Sequence, residues 1–421
     1  MEPNLTVFNR FNSMRTSSQI SWALYDFANS AFATTVMAGF FPLFFKQYWH
    51  GGGATESTFQ LGLANAAASG LILITAPVLG AIADQGRLHK AFLTCFALLG
   101  IGATFFLALL GPGLALAALC LYGVGLLGFS GANIFYDSLL MEIAQPDEYE
   151  RVSSLGFALG YLGGGLLFAF NVWMVMKPEF FGLASPEQAI RFSFASVAVW
   201  WLLFSLPLLL RVRERPLDQP RKQLIRRGWG QFIQTLRNIR AHRPAFLFLL
   251  AYWFYIDGVD TIVRMAVDYG LGIGLDWQAL ILALLLVQFI GFPAAIVFGQ
   301  LGTKIGAKRA ILLGLLVYIG VTVFAAGLDS AAEFYSLAVM IGLVQGGVQA
   351  LSRACFAHLI PKQYAAEFFG FYNMLGKFAA VIGPVLVGVT GYLLQDPRAG
   401  ILSILILFII GAGLLMRVPE K

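Results

Sequence analysis

Charge is scarce in this sequence. Asp, Glu, Lys and Arg supply 12% of its 421 residues, about half of the ~25% usual in a soluble domain. Apolar side chains supply 58%, more than a soluble fold can hide, so the chain reads as a membrane protein. Cysteine is scarce too. Cys95, Cys120 and Cys355 all lie in apolar runs, and an odd count without ligand spacing excludes a complete disulfide framework and a thiolate metal site. The four histidines are scattered and point to no metal centre. No Gly-x-x-x-x-Gly-Lys-Ser/Thr loop occurs, so energy must come from an ion or solute gradient or from a separate subunit. Gly123-x-Gly125-x-x-Gly128 sits inside an apolar run with no strand before it, which rules out a dinucleotide site. No Ser-His-Asp or metalloprotease spacing stands out. The expectation is therefore no enzyme and no cofactor. The polar N-terminus has no signal-peptide core, so the first apolar run should persist as a helix.

What is present is a series of apolar runs long enough to cross about 30 Å of hydrocarbon, which takes about 20 residues. Twelve are read, near 19–45, 60–83, 90–110, 113–141, 152–176, 191–212, 244–270, 276–300, 308–328, 332–358, 367–394 and 398–417. They are called the first to twelfth spans below. The net charge of +6 does not imply nucleic acid, because the basic residues cluster in short loops between the runs. With the N-terminus inside, only Lys46, Lys177, Arg191 and Arg398 of the 28 Lys and Arg fall on the opposite side, and Arg264, Arg353 and Lys377 fall within spans. That asymmetry predicts two cytoplasmic termini and an even number of helices. The longest loop divides the chain. The expected units are a cytoplasmic N-terminal segment 1–18, a six-helix bundle 19–212, a linker 213–243, a second bundle 244–417 and a tail 418–421. In the linker, Trp229, Phe232, Ile233, Leu236 and Ile239 share a helical face. This predicts an amphipathic helix on the cytoplasmic leaflet, although a calmodulin-type target carries the same pattern.

The two halves repeat. GAIADQGRLHK (Gly80 to Lys90) follows the second span, and GQLGTKIGAKR (Gly299 to Arg309) follows the eighth. Each opens on glycine, has a polar residue four later (Asp84, Thr303), then glycine (Gly86, Gly306) and basic residues (Arg87; Lys308, Arg309). IAQPDEYERVSSLG and LIPKQYAAEFFG correspond at nearly the same offset. Two independent matches argue for duplication of a six-helix unit, giving an all-α integral membrane fold of two pseudo-symmetric bundles.

These loops resemble the signature of the major facilitator superfamily. The first copy has one residue between Asp84 and Gly86 where that signature has two, and the second has Thr303 in place of the acid. SWALYDFANSAFATTV, IFYDSLL, VSSLGFALGYLGGG, YIDGVDTIVRMA and GGVQALSRACFAHLIP resemble the vacuole-effluxer-like branch, which includes fungal vacuolar amino-acid exporters. The resemblance covers nearly the whole chain. It implies the major facilitator fold, secondary transport, and amino acids as candidate substrates.

Charge inside a span marks the candidate site, because a central charged side chain costs at least about 2.5–3.5 kcal/mol. Asp257, Asp260, Arg264 and Asp268 share one face of the seventh span by their spacing. Tyr25, Asp26 and Asn29 in the first span, Tyr136 and Asp137 in the fourth, Gln349 and Arg353 in the tenth, and Asn373 and Lys377 in the eleventh complete the set. For any one residue a gate or structural pair competes with substrate contact. Together they could neutralise both ends of a zwitterion: Arg264, Arg353 and Lys377 the carboxylate, and Asp26, Asp257 and Asp260 the ammonium. Asp257 and Asp260 are the candidate proton carriers, with Asp257 first. Gly80, Asp84, Gly86, Arg87, Gly299, Gly306, Lys308 and Arg309 are candidate gating residues. The expected partners are a small-molecule substrate, the lipid bilayer and protons. The expected protein is a monomer, multi-pass in an inner plasma membrane. Efflux of amphipathic organic compounds and a receptor without turnover remain as alternatives.

Overall fold

The computed structural model describes residues 3–50, 54–214, 223–237, 242–272, 277–328, 330–378, 382–394 and 397–419. Some side chains inside described helices, among them Arg264, Asp268 and Lys377, lie outside the described residues. The chain is all-helical there. Ten helices among the described residues are long and apolar enough to cross a membrane unaided, from Phe59–Gly86 to Arg398–Met416. The remaining two spans are composite. The first runs as α-helix Pro3–Ala31 and continues through the π-helical segments Phe32–Phe40 and Phe45–His50. The eleventh comprises Ala365–Phe378 and the shorter apolar helix Ile382–Leu394. The first helix thus begins well before residue 19, since nothing in MEPNLTVFNRFNSM after Pro3 breaks a helix.

A π-turn is wider than an α-turn and shifts the helical register. Here it turns Phe41 flat onto Tyr122, with centroids 4.0 Å apart, and packs Phe44 edge-on to Trp49. Large apolar side chains such as Phe59, Ile74, Leu116 and Leu210 stay on the outer surface. That is the arrangement a lipid-facing exterior requires, since hydrocarbon is as good a solvent for them as a core.

The halves meet through several helix pairs, the fourth span on the eleventh among them. The second span packs on the eleventh, and the fifth packs on the eighth and tenth. Each signature loop supplies the glycine that permits this. A Cβ on Gly80 would overlap the backbone carbonyl of Ala366, and one on Gly299 would overlap the side chain of Ser154. Both contacts cross the seam between the halves on the face that carries the signature loops, called the loop face below.

Candidate functional site

Arg353, on the tenth span, is 2% exposed. An unpartnered guanidinium at that depth would be strongly unfavourable, and the fold gives it partners on every side. Its Nη1 donates to Asp137 Oδ1 at 3.0 Å, its Nε to Ser153 Oγ at 2.8 Å and its Nη2 to the Ser153 carbonyl at 2.8 Å. Its carbon lies 4.5 Å from the Phe157 ring centre and 4.7 Å from that of Trp22. Planar, weakly hydrated guanidinium suits such a slot, where the ammonium of Lys would not. Every one of these partners belongs to the N-terminal half.

Asp137 is the counterpart. Its Oδ1 takes the Arg353 bond and its Oδ2 accepts from Asn373 Nδ2 at 2.8 Å. One carboxylate of the fourth span therefore holds both the tenth and the eleventh spans. Ser153 Oγ adds a bond to the Ala350 carbonyl at 2.7 Å. Asp26 stands differently. Its Oδ2 accepts from Tyr136 Oη at 3.1 Å but lies 3.8 Å from Arg353 Nη1. It is the looser partner of the cation, and its side chain keeps 14% exposure.

Above this cluster lies a cavity of about 530 Å³ between the halves. Of the residues expected from the sequence, Asp26, Asn29, Tyr136, Asp137, Asp260, Gln349, Arg353 and Asn373 line it. The cavity reaches Pro42, Leu61 and Asn65, so it extends away from the loop face. On the loop face the halves are joined by Glu150 to His358 Nε2 at 2.9 Å and by Asp84. Asp84 Oδ1 and Oδ2 accept from the backbone N–H groups of Ala366 and Glu367 at 3.0 and 2.8 Å. It caps the start of a helix in the other half, where a carboxylate is favoured both as acceptor and by the helix dipole.

Several expected placements are corrected. Asp257 does not look into the cavity. It is fully buried, and its carboxylate accepts from the backbone N–H groups of Ile382 and Gly383 at 3.1 and 3.0 Å and from Thr261 at 3.3 Å. It caps the second helix of the eleventh span. Tyr25 is buried beside the Tyr136 ring, 5.1 Å between centroids, and does not line the cavity. Lys308 has partners within its own half. It donates to the carbonyls of Met416 and Val418, closing the C-terminal end of the twelfth span within its own half. Arg87 and Arg309 are exposed. Gly86 packs against Leu88 and Leu224, and the positive φ of the first loop falls on Arg87 (47°), in step with Gly306 (89°) in the second. The calls on Arg264 and Lys377 lie outside the described residues.

Sequence reasoning missed Ser153, Trp22, Phe157 and Gln288. Gln288 lines the cavity from the middle of an apolar run, where it stands alone without the charged neighbour that drew attention to Gln349 and Asn373. A backbone acceptor such as the Ser153 carbonyl leaves no trace in sequence.

Two bundles enclosing a midplane cavity, sealed on one face by paired signature loops, define a major facilitator transporter. Solved structures share the fold. The proton:xylose symporter XylE aligns over 97% of this chain and 96% of its own, with TM-score 0.68 at 14% identity, and its double-Trp mutant over 98% and 97%, with TM-score 0.73. The model of the "Vacuole effluxer Atg22 like" family matches residues 142–421, and the major facilitator superfamily model matches residues 2–168. The MFS-type transporter YxiO of Bacillus subtilis is 37% identical over 96% of both chains. Autophagy-related protein 22 of Yarrowia lipolytica is 27% identical over 64% of this chain and half of its own length. The chain belongs to the Atg22-like family of the major facilitator superfamily. It is a multi-pass membrane transporter of small molecules, not an enzyme.

Proposed function

We propose that the chain exports a small zwitterionic solute, amino acids first, by alternating access in exchange for protons. The observation that carries this reading is the unequal sharing of Arg353. Asp137 holds it at 3.0 Å, while Asp26 stands back at 3.8 Å and faces the cavity. Asp26 is then the acid that a substrate ammonium, or a proton, can reach without first breaking the pair beneath it. Amide donors of Asn133, Gln288 and Gln349 around the same cavity suit the substrate carboxylate. Asp26 replaces Asp257 as the proposed proton carrier, because Asp257 is committed to two backbone N–H groups. Arg353 with Asp137 and Asn373 is the inner lock, and Asp84 with Gly80 is the outer one.

With the loop face cytoplasmic, as the Lys and Arg distribution favours, the cavity opens outward and both termini lie inside. The transporter works as a monomer in the plasma membrane, the compartment that kinship with a bacterial homologue supports. Export is the direction that the family's description as an effluxer favours. The test is flux of labelled amino acids in proteoliposomes under an imposed pH gradient. Gradient-dependent flux that is lost in Asp26→Asn is expected, and no flux of any amino acid by folded protein would contradict the reading. A second reading has one observation behind it. An apolar recess of about 220 Å³ lined by Leu280, Leu337 and Ile341 shares Ala33, Gln288 and Gln345 with the main cavity. Flux of lipophilic cations without amino-acid flux would favour efflux of amphipathic compounds.

A further inference from the structure

The linker helix, Leu224–Arg237, has two dissimilar faces. Its inner face lies across the seam that Asp84 closes. Gly228 sits so near the second span that a Cβ there would press on the backbone of Ile82, and Leu224 packs at Gly86. Four residues further on, Phe232 meets Phe371 of the eleventh span, 6.1 Å between ring centroids and nearly parallel. Thr235 is buried on the same side. The helix therefore touches the N-terminal half through the second span and the C-terminal half through the eleventh. Nothing can part those two spans on this face while both contacts persist.

The outer face is of another kind. Ile225 is 75% exposed and Trp229 53% exposed, and they sit four residues apart, one above the other. Arg226, Arg227 and Arg237 are exposed too, on the flank of the helix turned away from the seam. Large exposed apolar side chains flanked by arginine, on a helix beside the ends of membrane spans, fit the boundary between acyl chains and anionic headgroups. Trp at that depth places its ring among the headgroups, and Arg reaches their phosphates.

We infer that the linker helix is an anionic-lipid-binding clamp: its outer face docks on negatively charged phospholipid headgroups, and that docking holds its inner face across the seam between the second and eleventh spans. Each surface Arg strengthens attachment to an anionic leaflet roughly fivefold. Membrane charge then biases the transporter toward the state closed on the loop face. The inference depends on the architecture and not on the identity of the solute.

The test uses the full chain in nanodiscs of phosphatidylcholine alone and of phosphatidylcholine with 30 mol% phosphatidylglycerol, read by hydrogen–deuterium exchange. In the anionic discs the peptide covering residues 224–237 and the peptide covering residues 365–371 are both expected to exchange at least fivefold more slowly. The triple variant Arg226→Gln, Arg227→Gln, Arg237→Gln should exchange equally in both compositions, with exchange in the tenth span unchanged as the check on folding. Equal exchange of the wild type in the two compositions would overturn the inference. So would a triple variant that keeps the wild-type lipid response, since the partner would then be recognised without these charges.

Discussion

The two signature loops arise from one repeated unit and have come to do different things. Both retain the glycine that lets the halves touch, Gly80 against Ala366 and Gly299 against Ser154. Only the first retains the acid. Asp84 reaches across the seam and satisfies two backbone donors at the head of a helix in the other half. Thr303, in the corresponding place, turns back to its own helix and donates to the Gln300 carbonyl at 2.8 Å. The second loop has instead put its basic residue to local use, with Lys308 tying down the end of the twelfth span. Steric closeness is thus shared by the two copies and electrostatic closure is not. One loop can act as a switch, and the other supplies a steric contact alone.

The comparison can be broken in order of expected effect. Gly80→Val and Gly299→Val should both disturb closure, because each forces side-chain atoms into backbone or packed atoms across the seam. Overpacking of about 1–3 kcal/mol corresponds to a roughly 5- to 150-fold shift away from the loop-face-closed state. Labelling of a cysteine placed at Ser154 or Ala366 reports that shift, and a large effect at only one glycine would show that the contacts are not equivalent. Next comes Asp84→Ala. It leaves two helix-start donors without their acceptor and removes the partner of His89 Nε2, 2.9 Å away. Loss of a cap of this kind costs about 1–2 kcal/mol, so transport should fall roughly tenfold while Thr303→Ala stays within about twofold of wild type. Equal losses in the two variants would abolish the distinction drawn between the loops. The smallest effect belongs to Lys308→Met. It should lower thermal stability by about 0.5–1 kcal/mol through the lost helix-end contacts, with flux unchanged; reduced flux at unchanged stability would restore Lys308 to the gate.

Much of this was legible in the sequence, for particular reasons. Arg353 and Asp137 stand out because charge within an apolar span needs a partner, and the duplicated loops fix which ends of the spans meet. Asp257 was misread for an equally physical reason. Residues three apart on a helix differ by about 60° in direction, enough for Asp260 to line the cavity while Asp257 turns to the eleventh span. Its partners there are backbone N–H groups of Ile382 and Gly383; Gly383-Pro384 marks a helix start in the sequence, but nothing in the sequence pairs that start with Asp257. The left-handed residue of the first loop was also hidden, because Gly86 invites that assignment and Arg87 carries it.

The central claim is that the solute site is built on Asp26 above the Arg353–Asp137 pair, and that Asp257 only holds a helix end. Equilibrium binding of a labelled neutral amino acid to purified protein, compared among wild type, Asp26→Asn and Asp257→Asn, tests it directly. The account predicts binding weakened about 10- to 100-fold in Asp26→Asn, the loss of a bond to a charged group, and affinity within about twofold of wild type in Asp257→Asn. Affinity lost in Asp257→Asn and kept in Asp26→Asn would contradict it.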